Sequence, residues 1–561
     1  MERNTPPDIP LARGYLDHLV HNTDRIAAAR GWRRAMVAGS AGALSTLAFA
    51  PFQFWPILLL TLPVLVWSID GAAARHHGSV AERGWRKHSI VQAALSGWWF
   101  GYGFFVAGLY WIGYAFLVEA ETFLWLLPFA VSLLPAGLAL FFAAATAVAA
   151  RFWTVGWQRI IVLALALTAS EWLRGHILTG FPWNVLGYAL TGSLPMMQSA
   201  SVLGVYGLTF WTVVVGTAPL ALLADHAATR LRLDFATAIR VLSPLVIVVV
   251  QLGFGHWRLQ SPPPQPIDGV KLRIVQPSIP QREKWRPENQ RSIFLQHLAL
   301  SRQRPDGSSE DTPSVSHVIW PEAAMPFRPL DSPEALRLIG ETLGPRALLL
   351  AGALREEPAS AASPRRVYNS LIVFDGAGRA HGVHDKNHLV PFGEYLPFQA
   401  TLESVGLEAL TRMRGGFAAG PRPRPLLHVV GLGPTAALVC YEAIFPGSVI
   451  QGRERPSILV NVTNDGWFGP STGPRQHAHM ARVRAVEEGV MLARAANNGL
   501  SALVDPYGRI VASLELDARG VIEGPALAPI PAPAYARSGD LWAVLQSLLA
   551  LILVALGRRA R

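Results

Sequence analysis

Apolar residues fall along this chain in two regimes. Up to about residue 255 they come in long runs, at roughly 35–50, 55–69, 91–117, 122–150, 158–173, 195–224 and 238–255, and an eighth closes the chain at 541–556. A membrane-crossing helix needs about 20 mostly apolar residues. These runs therefore predict transmembrane helices, the first two being short enough to form a tilted or re-entrant pair around Pro51 and Pro56. Between the last two runs the pattern changes. Short apolar strands are predicted at Val270–Val275, His317–Trp320, Ala347–Ala351, Ser370–Phe374, Ala436–Val439, Ile458–Val462 and Ser501–Asp505, with helices at Arg291–Arg302 and Gln476–Ala496. That alternation predicts a layered α/β domain. Proline-rich junctions, Gln260–Pro266 and Pro525–Pro533, bound it on either side.

The organisation expected is a polar tail at 1–34, a membrane domain of about seven helices at 35–255, a linker at 256–267, an α/β domain at 268–524, a second linker at 525–540 and a last transmembrane helix at 541–557. Tyr15–Arg30 reads equally as an amphipathic helix on the membrane surface and as a solvated tail. The first apolar run leads into further spans and lacks a cleavage pattern, so it is not a signal peptide.

A hydrophobic content of 51% with only 16% charged residues agrees with a membrane protein. The net charge of +11 raises the question of a nucleic-acid partner, but its distribution argues against one. Between Asp268 and Glu523 there are 28 basic and 26 acidic residues, so most of the excess lies in the apolar portions and their flanks. There it alternates. The N-terminal tail carries six Arg, and loops 70–89, 151–159 and 225–240 and the C-terminus are basic, whereas 51–54 and 118–121 have no Lys or Arg and 174–194 has Arg174 alone. Positive residues mark the cytoplasmic side. Both termini are thus expected in the cytoplasm and the α/β domain outside, which is the periplasm of a bacterium with two membranes.

Cys440 is the only cysteine, so no intramolecular disulfide is available, and no His/Cys cluster suggests a metal. The stretch TAALVCYEAIFPG, Thr435–Gly447, places Cys440 where an apolar strand meets a sharp turn. Taken alone it reads more readily as a buried structural thiol. Two upstream stretches change the picture. Glu322 follows a strand in VIWPEAAMPF, and Lys386 and Glu394 lie in HDKNHLVPFGEYLPF, whose apolar residues would pull the loop onto the domain and make unpaired charge costly. Each stretch on its own is compatible with a solvated loop.

The order Glu322 in WPE, Lys386 in DKNHLVPFGE and Cys440 in CYE resembles the nitrilase (carbon–nitrogen hydrolase) superfamily, with its Glu-Lys-Cys triad and αββα sandwich. Nearly the whole chain is similar to one branch, the bacterial apolipoprotein N-acyltransferases, through EWLRG (Glu171–Gly175), FPWN (Phe181–Asn184), QPSIPQREKW (Gln276–Trp285) and NVTNDGWFG (Asn461–Gly469). The resemblance implies a nucleophile in Cys440, a general base in Glu322 and an oxyanion-stabilising cation in Lys386, aided by the backbone N–H of Tyr441. Glu394 and Glu442 are expected to support them. It also implies no cofactor, and a ping-pong transfer of a fatty acyl chain from a phospholipid, phosphatidylethanolamine by resemblance, to the N-terminal α-amine of diacylglyceryl apolipoproteins in the inner membrane. Trp285, Phe327, Tyr395, Phe398, Trp467 and Phe468 are candidates to line a lipid-facing mouth, and each reads equally as core. Asn464 and Asp465 are as readily turn formers as site residues. A membrane-anchored amidase would share the triad, but it would need one anchor rather than eight spans.

Overall fold

The computed structural model describes residues 10–74, 82–154, 156–228, 235–359, 365–397 and 416–559. Among them six helical segments are long and apolar enough to cross a membrane: Trp55–Ala73, His88–Val118, Ala120–Arg151, Ala200–Asp225, Val241–Leu259 and Leu541–Arg559. The apolar runs near 35–50 and 158–173 also fold as helices, Gly31–Ser45 and Trp157–His176. The first has only 15 residues, and the second carries Arg159, Glu171 and Arg174. Both pack inside the bundle. Gly31–Ser45 lies against Glu82–Leu109, and Trp157–His176 lies between Leu127–Arg151 and Ala200–Ala228. Glycines allow the first of these approaches: a Cβ on Gly42 would sit 1.9 Å from the Phe100 carbonyl oxygen, and one on Gly103 would sit 2.0 Å from that of Gly39. Small residues at such crossings let backbones meet where lipid supplies no hydrophobic drive. The tail forms a helix at Pro10–Ala28, which packs on Pro63–Ala74.

The α/β domain has two six-stranded sheets. The strands are β1 (Pro266–Gln276), β2 (His317–Trp320), β3 (Leu348–Glu357), β4 (Arg366–Phe374), β5 (Ala380–Asp385), β6 (Leu427–Val429), β7 (Gly433–Val439), β8 (Ile458–Thr463), β9 (Met491–Ala496), β10 (Ser501–Val504), β11 (Ile510–Leu514) and β12 (Gly520–Leu527). Their orders are β12-β1-β2-β3-β4-β5 and β11-β10-β9-β8-β7-β6. One face of each sheet meets the other: Leu272, Ile274, Ile319 and Leu371 share a core with Ala437, Val439, Val460 and Ala493. The opposite faces are covered by helices, Gln290–Ser301 and Pro333–Leu343 on the first sheet and Gly473–Glu488 on the second. This is an αββα sandwich. Strands buried on both faces read as continuous apolar runs, which is why β2, β7 and β8 are plain in the sequence.

The helix expected over Gln476–Ala496 is shorter. It runs Gly473–Glu488, ends at Gly489 in the left-handed conformation, and Met491–Ala496 is strand β9. The linkers are also shorter than expected. The membrane helix continues to Leu259, β1 begins at Pro266, β12 ends at Leu527, and a short helix at Ala534–Ser538 precedes the last span.

Candidate active site

β2, β3 and β5 run in one direction, as do β7, β8 and β9, because β1–β2–β3 and β7–β8–β9 pair in parallel and two antiparallel steps return the chain to β5. Glu322, Lys386, Cys440 and Asn464 each follow the carboxyl end of one of these strands, β2, β5, β7 and β8 respectively. The topology therefore brings together residues more than a hundred positions apart.

Lys386 is the hub. Its Nζ lies 2.8 Å from Glu394 Oε1 and 3.9 Å from Glu322 Oε1. The Asn369 amide, on β4, donates to both carboxylates, at 2.7 Å to Glu322 Oε1 and 3.2 Å to Glu394 Oε1. The backbone N–H of Asn464 donates to Glu322 Oε2 at 2.9 Å, and that of Val390 to Glu394 Oε2 at 2.8 Å. Lys284 Nζ donates to the backbone carbonyl of Glu322 at 3.0 Å. Glu322, Lys386 and Cys440 are all buried. Cys440 opens a tight turn, Cys440–Ile444, with φ +54°. A non-glycine residue holds that left-handed conformation only where its surroundings enforce it, at a cost of about 1–3 kcal/mol.

The electrostatics follow from burial and from the one central cation. Burial pushes the Glu322 carboxyl up, Lys386 opposes this, and the charge on Glu394 reinforces it. Burial disfavours the Lys386 ammonium, but Glu394 and Glu322 outweigh it and keep Lys386 firmly protonated. Burial, reinforced by Glu322, pushes the Cys440 thiol up against the pull of Lys386. The resting site is thus a neutral thiol beside a carboxylate of raised basicity and a fixed ammonium. Glu322 is the carboxylate within electrostatic reach of the thiol whose proton affinity is raised.

Other expected residues divide. Glu394 holds Lys386 directly. Glu442 does not touch the Lys386 side chain. It accepts from the backbone N–H groups of Asn387, His388 and Val439 and from Arg424, so it clamps the chain on both sides of the site. The Tyr441 hydroxyl donates to the Gly180 carbonyl at 3.0 Å, reaching the membrane domain. Phe468 packs on Trp111 and Trp183 of that domain. Trp285, Tyr395 and Trp467 are half-buried. Phe327 packs on Phe294 against the core beneath the first sheet, and Phe398 lies outside the described residues. In the turn after β8, the Asn464 backbone N–H contacts Glu322, whereas Asp465 turns to His477. Asn369, Lys284 and His477 were missed. Asn369 sits within an apolar strand and His477 within a helix, where a polar residue carries no local signal of what it faces.

Among the described residues no group of His, Cys, Asp and Glu is arranged to hold a metal ion.

The model for the apolipoprotein N-acyltransferase N-terminal domain matches residues 41–218, and that for carbon-nitrogen hydrolases matches residues 271–525. A protein of Rhodopseudomonas palustris called apolipoprotein N-acyltransferase is 45% identical over 551 residues, covering 98% of this chain and 99% of its own. One of Bradyrhizobium diazoefficiens with the same name is 46% identical, covering 95% and 96% respectively. Among solved structures, a mutant of the Nesterenkonia AN1 amidase from the nitrilase superfamily aligns at 18% identity and a TM-score of 0.33, over 50% of this chain and 96% of that one. Matched by family models on both sides of the membrane boundary and by relatives along nearly its whole length, the chain belongs to the apolipoprotein N-acyltransferase family.

Proposed function

We propose that this protein is a phospholipid:apolipoprotein N-acyltransferase working by a two-step ping-pong mechanism. Cys440 Sγ attacks the acyl ester carbonyl of a phospholipid, phosphatidylethanolamine in our reading, while Glu322 accepts the thiol proton. The ester C–O bond breaks, Glu322 returns the proton to the leaving alcohol, and a lysophospholipid departs. The acyl chain is now a Cys440 thioester. The neutral α-amine of an S-diacylglyceryl-cysteine then attacks it, giving an amide and the free thiol, with Glu322 again moving the proton. Lys386 and the Tyr441 N–H stabilise the oxyanion in each step. Removal of one such donor typically costs about 10²–10³ in rate.

The observation that carries this reading is the convergence of Glu322, Lys386 and Cys440 at one sandwich end that is seated on a membrane domain. Both substrates carry acyl chains, and each CH₂ pulled into water costs roughly 0.8 kcal/mol, so the thiol must be reached from the bilayer. The inner membrane, with the α/β domain on its periplasmic side, is the location this requires. The test is to incubate the purified protein with phospholipid radiolabelled in its acyl chain. A hydroxylamine-sensitive label is expected on the wild type and absent from Cys440→Ala. No label on the wild type, or label persisting without the thiol, overturns the mechanism.

A further inference from the structure

Behind Cys440 lies a second polar network that the reaction above does not use. His477, fully buried on helix Gly473–Glu488, places Nε2 3.2 Å from the Cys440 carbonyl oxygen and Nδ1 2.9 Å from Asp465 Oδ1. Asp465 also accepts from the Thr463 hydroxyl at 3.0 Å and from Arg494 Nη2 at 2.8 Å. Arg494 Nη2 is itself 3.2 Å from His477 Nδ1. The imidazole is boxed in by Trp183, centroids 5.6 Å apart, and by Phe468 at 5.9 Å. The Cys440 carbonyl and the Asp465 carboxylate both only accept, so the imidazolium donates to both; of the two neutral tautomers, the one protonated at Nε2 donates to the carbonyl while Nδ1 accepts from Arg494. Asn461 Nδ2 points at the same carbonyl from 3.4 Å.

The Cys440 carbonyl belongs to the peptide unit that carries the Tyr441 N–H. That unit is planar and trans, so its C=O and N–H point in opposite directions. Fixing the oxygen therefore fixes where the N–H aims, and a hydrogen bond accepted by the carbonyl strengthens the N–H as a donor. The unit follows a residue at φ +54°, a conformation that relaxes unless held.

We propose that His477 is a positioning residue: by donating to the Cys440 carbonyl it aims the Tyr441 N–H at the reacting acyl oxygen. Its own seat is set from the membrane domain. Trp183 Nε1 donates to Gln476 Oε1 at 2.7 Å, and the Trp183 carbonyl is held by Arg174 at 2.9 Å. This inference rests on the proposed reading of Tyr441 as an oxyanion donor.

The test uses the full-length enzyme in detergent or proteoliposomes. His477→Asn keeps a group near Asp465 but cannot reach the carbonyl, whereas His477→Gln can place an amide N–H where Nε2 was. We expect H477N to lower kcat for acyl-enzyme formation at least about 10-fold, with KM for phospholipid within about twofold, and H477Q to recover most of the loss. Alkylation of Cys440 by iodoacetamide forms no oxyanion, and because Cys440 is the only cysteine the reagent reports on it alone. Its rate should change less than about threefold in both variants. Should H477N fail to fold, Asn461→Ser removes the other donor to the same carbonyl and should give the same selective loss of kcat. Wild-type kcat in H477N, or parallel loss of acylation and alkylation, overturns the proposal. The parent reading fails separately, if C440A still acquires a labelled acyl group.

Discussion

Glu322 and Glu394 share a single cation and a single amide, and this fixes the sign of a pH effect. In the proposed mechanism Glu322 works as a base when ionised, so acylation is expected to fall as pH drops through its pKa. Burial and the Glu394 charge hold that pKa up. Glu394→Gln removes the charge and leaves Lys386 to face Glu322 alone, and both changes lower the proton affinity of the base. The acid limb of kcat/KM for acyl-enzyme formation should therefore move to lower pH, while the plateau falls because Lys386 loses its 2.8 Å partner. A pH profile of labelling checks this, and a limb that stays put or moves up contradicts it. Glu442 makes the complementary case for stability. Burial pushes its carboxyl up, but Arg424 and the groups around it hold it well below the ordinary range. Glu442→Gln turns an N–H toward existing donors and leaves buried Arg424 unpaired, at a cost of about 3 kcal/mol or more. Because the folded carboxyl is the more acidic, its contribution is present above the unfolded pKa of about 4.3 and is lost as pH falls below it. Thermal unfolding should separate wild type from E442Q at neutral pH, with the gap narrowing in acid.

Among the elements, those that could be read from the sequence were the ones whose signal is local. β2, β7 and β8 are apolar runs ending at breakers, and Glu322, Cys440 and Asn464 follow them, so these three strand-end positions were legible before any geometry was known. β9 was not. Its sequence, MLARAA, continues the alanine-rich, helix-favouring pattern of the preceding helix, and only pairing with β8 and β10 makes it a strand. The helix before it shows a second limit. Gly473–Glu488 has no clear apolar stripe, because one of its faces turns to the membrane domain through polar side chains. His479 meets Thr191, Arg484 meets the Tyr188 hydroxyl, and Glu487 accepts from Val205 N–H where the span Ala200–Ala228 breaks at Gly204. A buried polar interface looks like a solvated face in sequence. The fully buried Arg484–Glu487 pair, 2.8 Å apart, is its centre. Arg484→Met should destabilise the detergent-solubilised protein by about 3–5 kcal/mol by stranding Glu487. The double variant Arg484→Met/Glu487→Gln should recover part of that loss, because the neutral amide carries no charge and keeps an oxygen for the Val205 N–H. Unfolding midpoints of the single and double variants decide it, and a double variant no better than R484M refutes the stranded-charge account.

At the scale of the whole molecule, span parity and loop charge bear on one another. Among the described residues six helices meet the length and hydropathy of a span, five of them before the α/β domain. If those five alone crossed, starting from a cytoplasmic tail, the basic loops 75–87 and 151–159 would both fall outside the cell, against the bias that Lys and Arg impose. Adding Gly31–Ser45 and Trp157–His176 returns both loops to the cytoplasm and still leaves the α/β domain outside. The second has 20 residues, about 30 Å at 1.5 Å per residue, and its charges are satisfied within the protein: Glu171 pairs with Arg174 at 2.6 Å, and Arg159 with Asp225 at 2.8 Å. Charges neutralised inside a bundle lower the hydropathy of a span without exposing it to lipid. The eight-span arrangement predicts the sidedness of two exposed positions, Asn22 in the tail and Ser309 in the α/β domain. In a Cys440→Ala background, Ser309→Cys should react with a membrane-impermeant maleimide in spheroplasts, whereas Asn22→Cys should react only after the membrane is permeabilised. The reverse pattern would put the thiol on the cytoplasmic side and undo the topology on which the proposed lipid access depends.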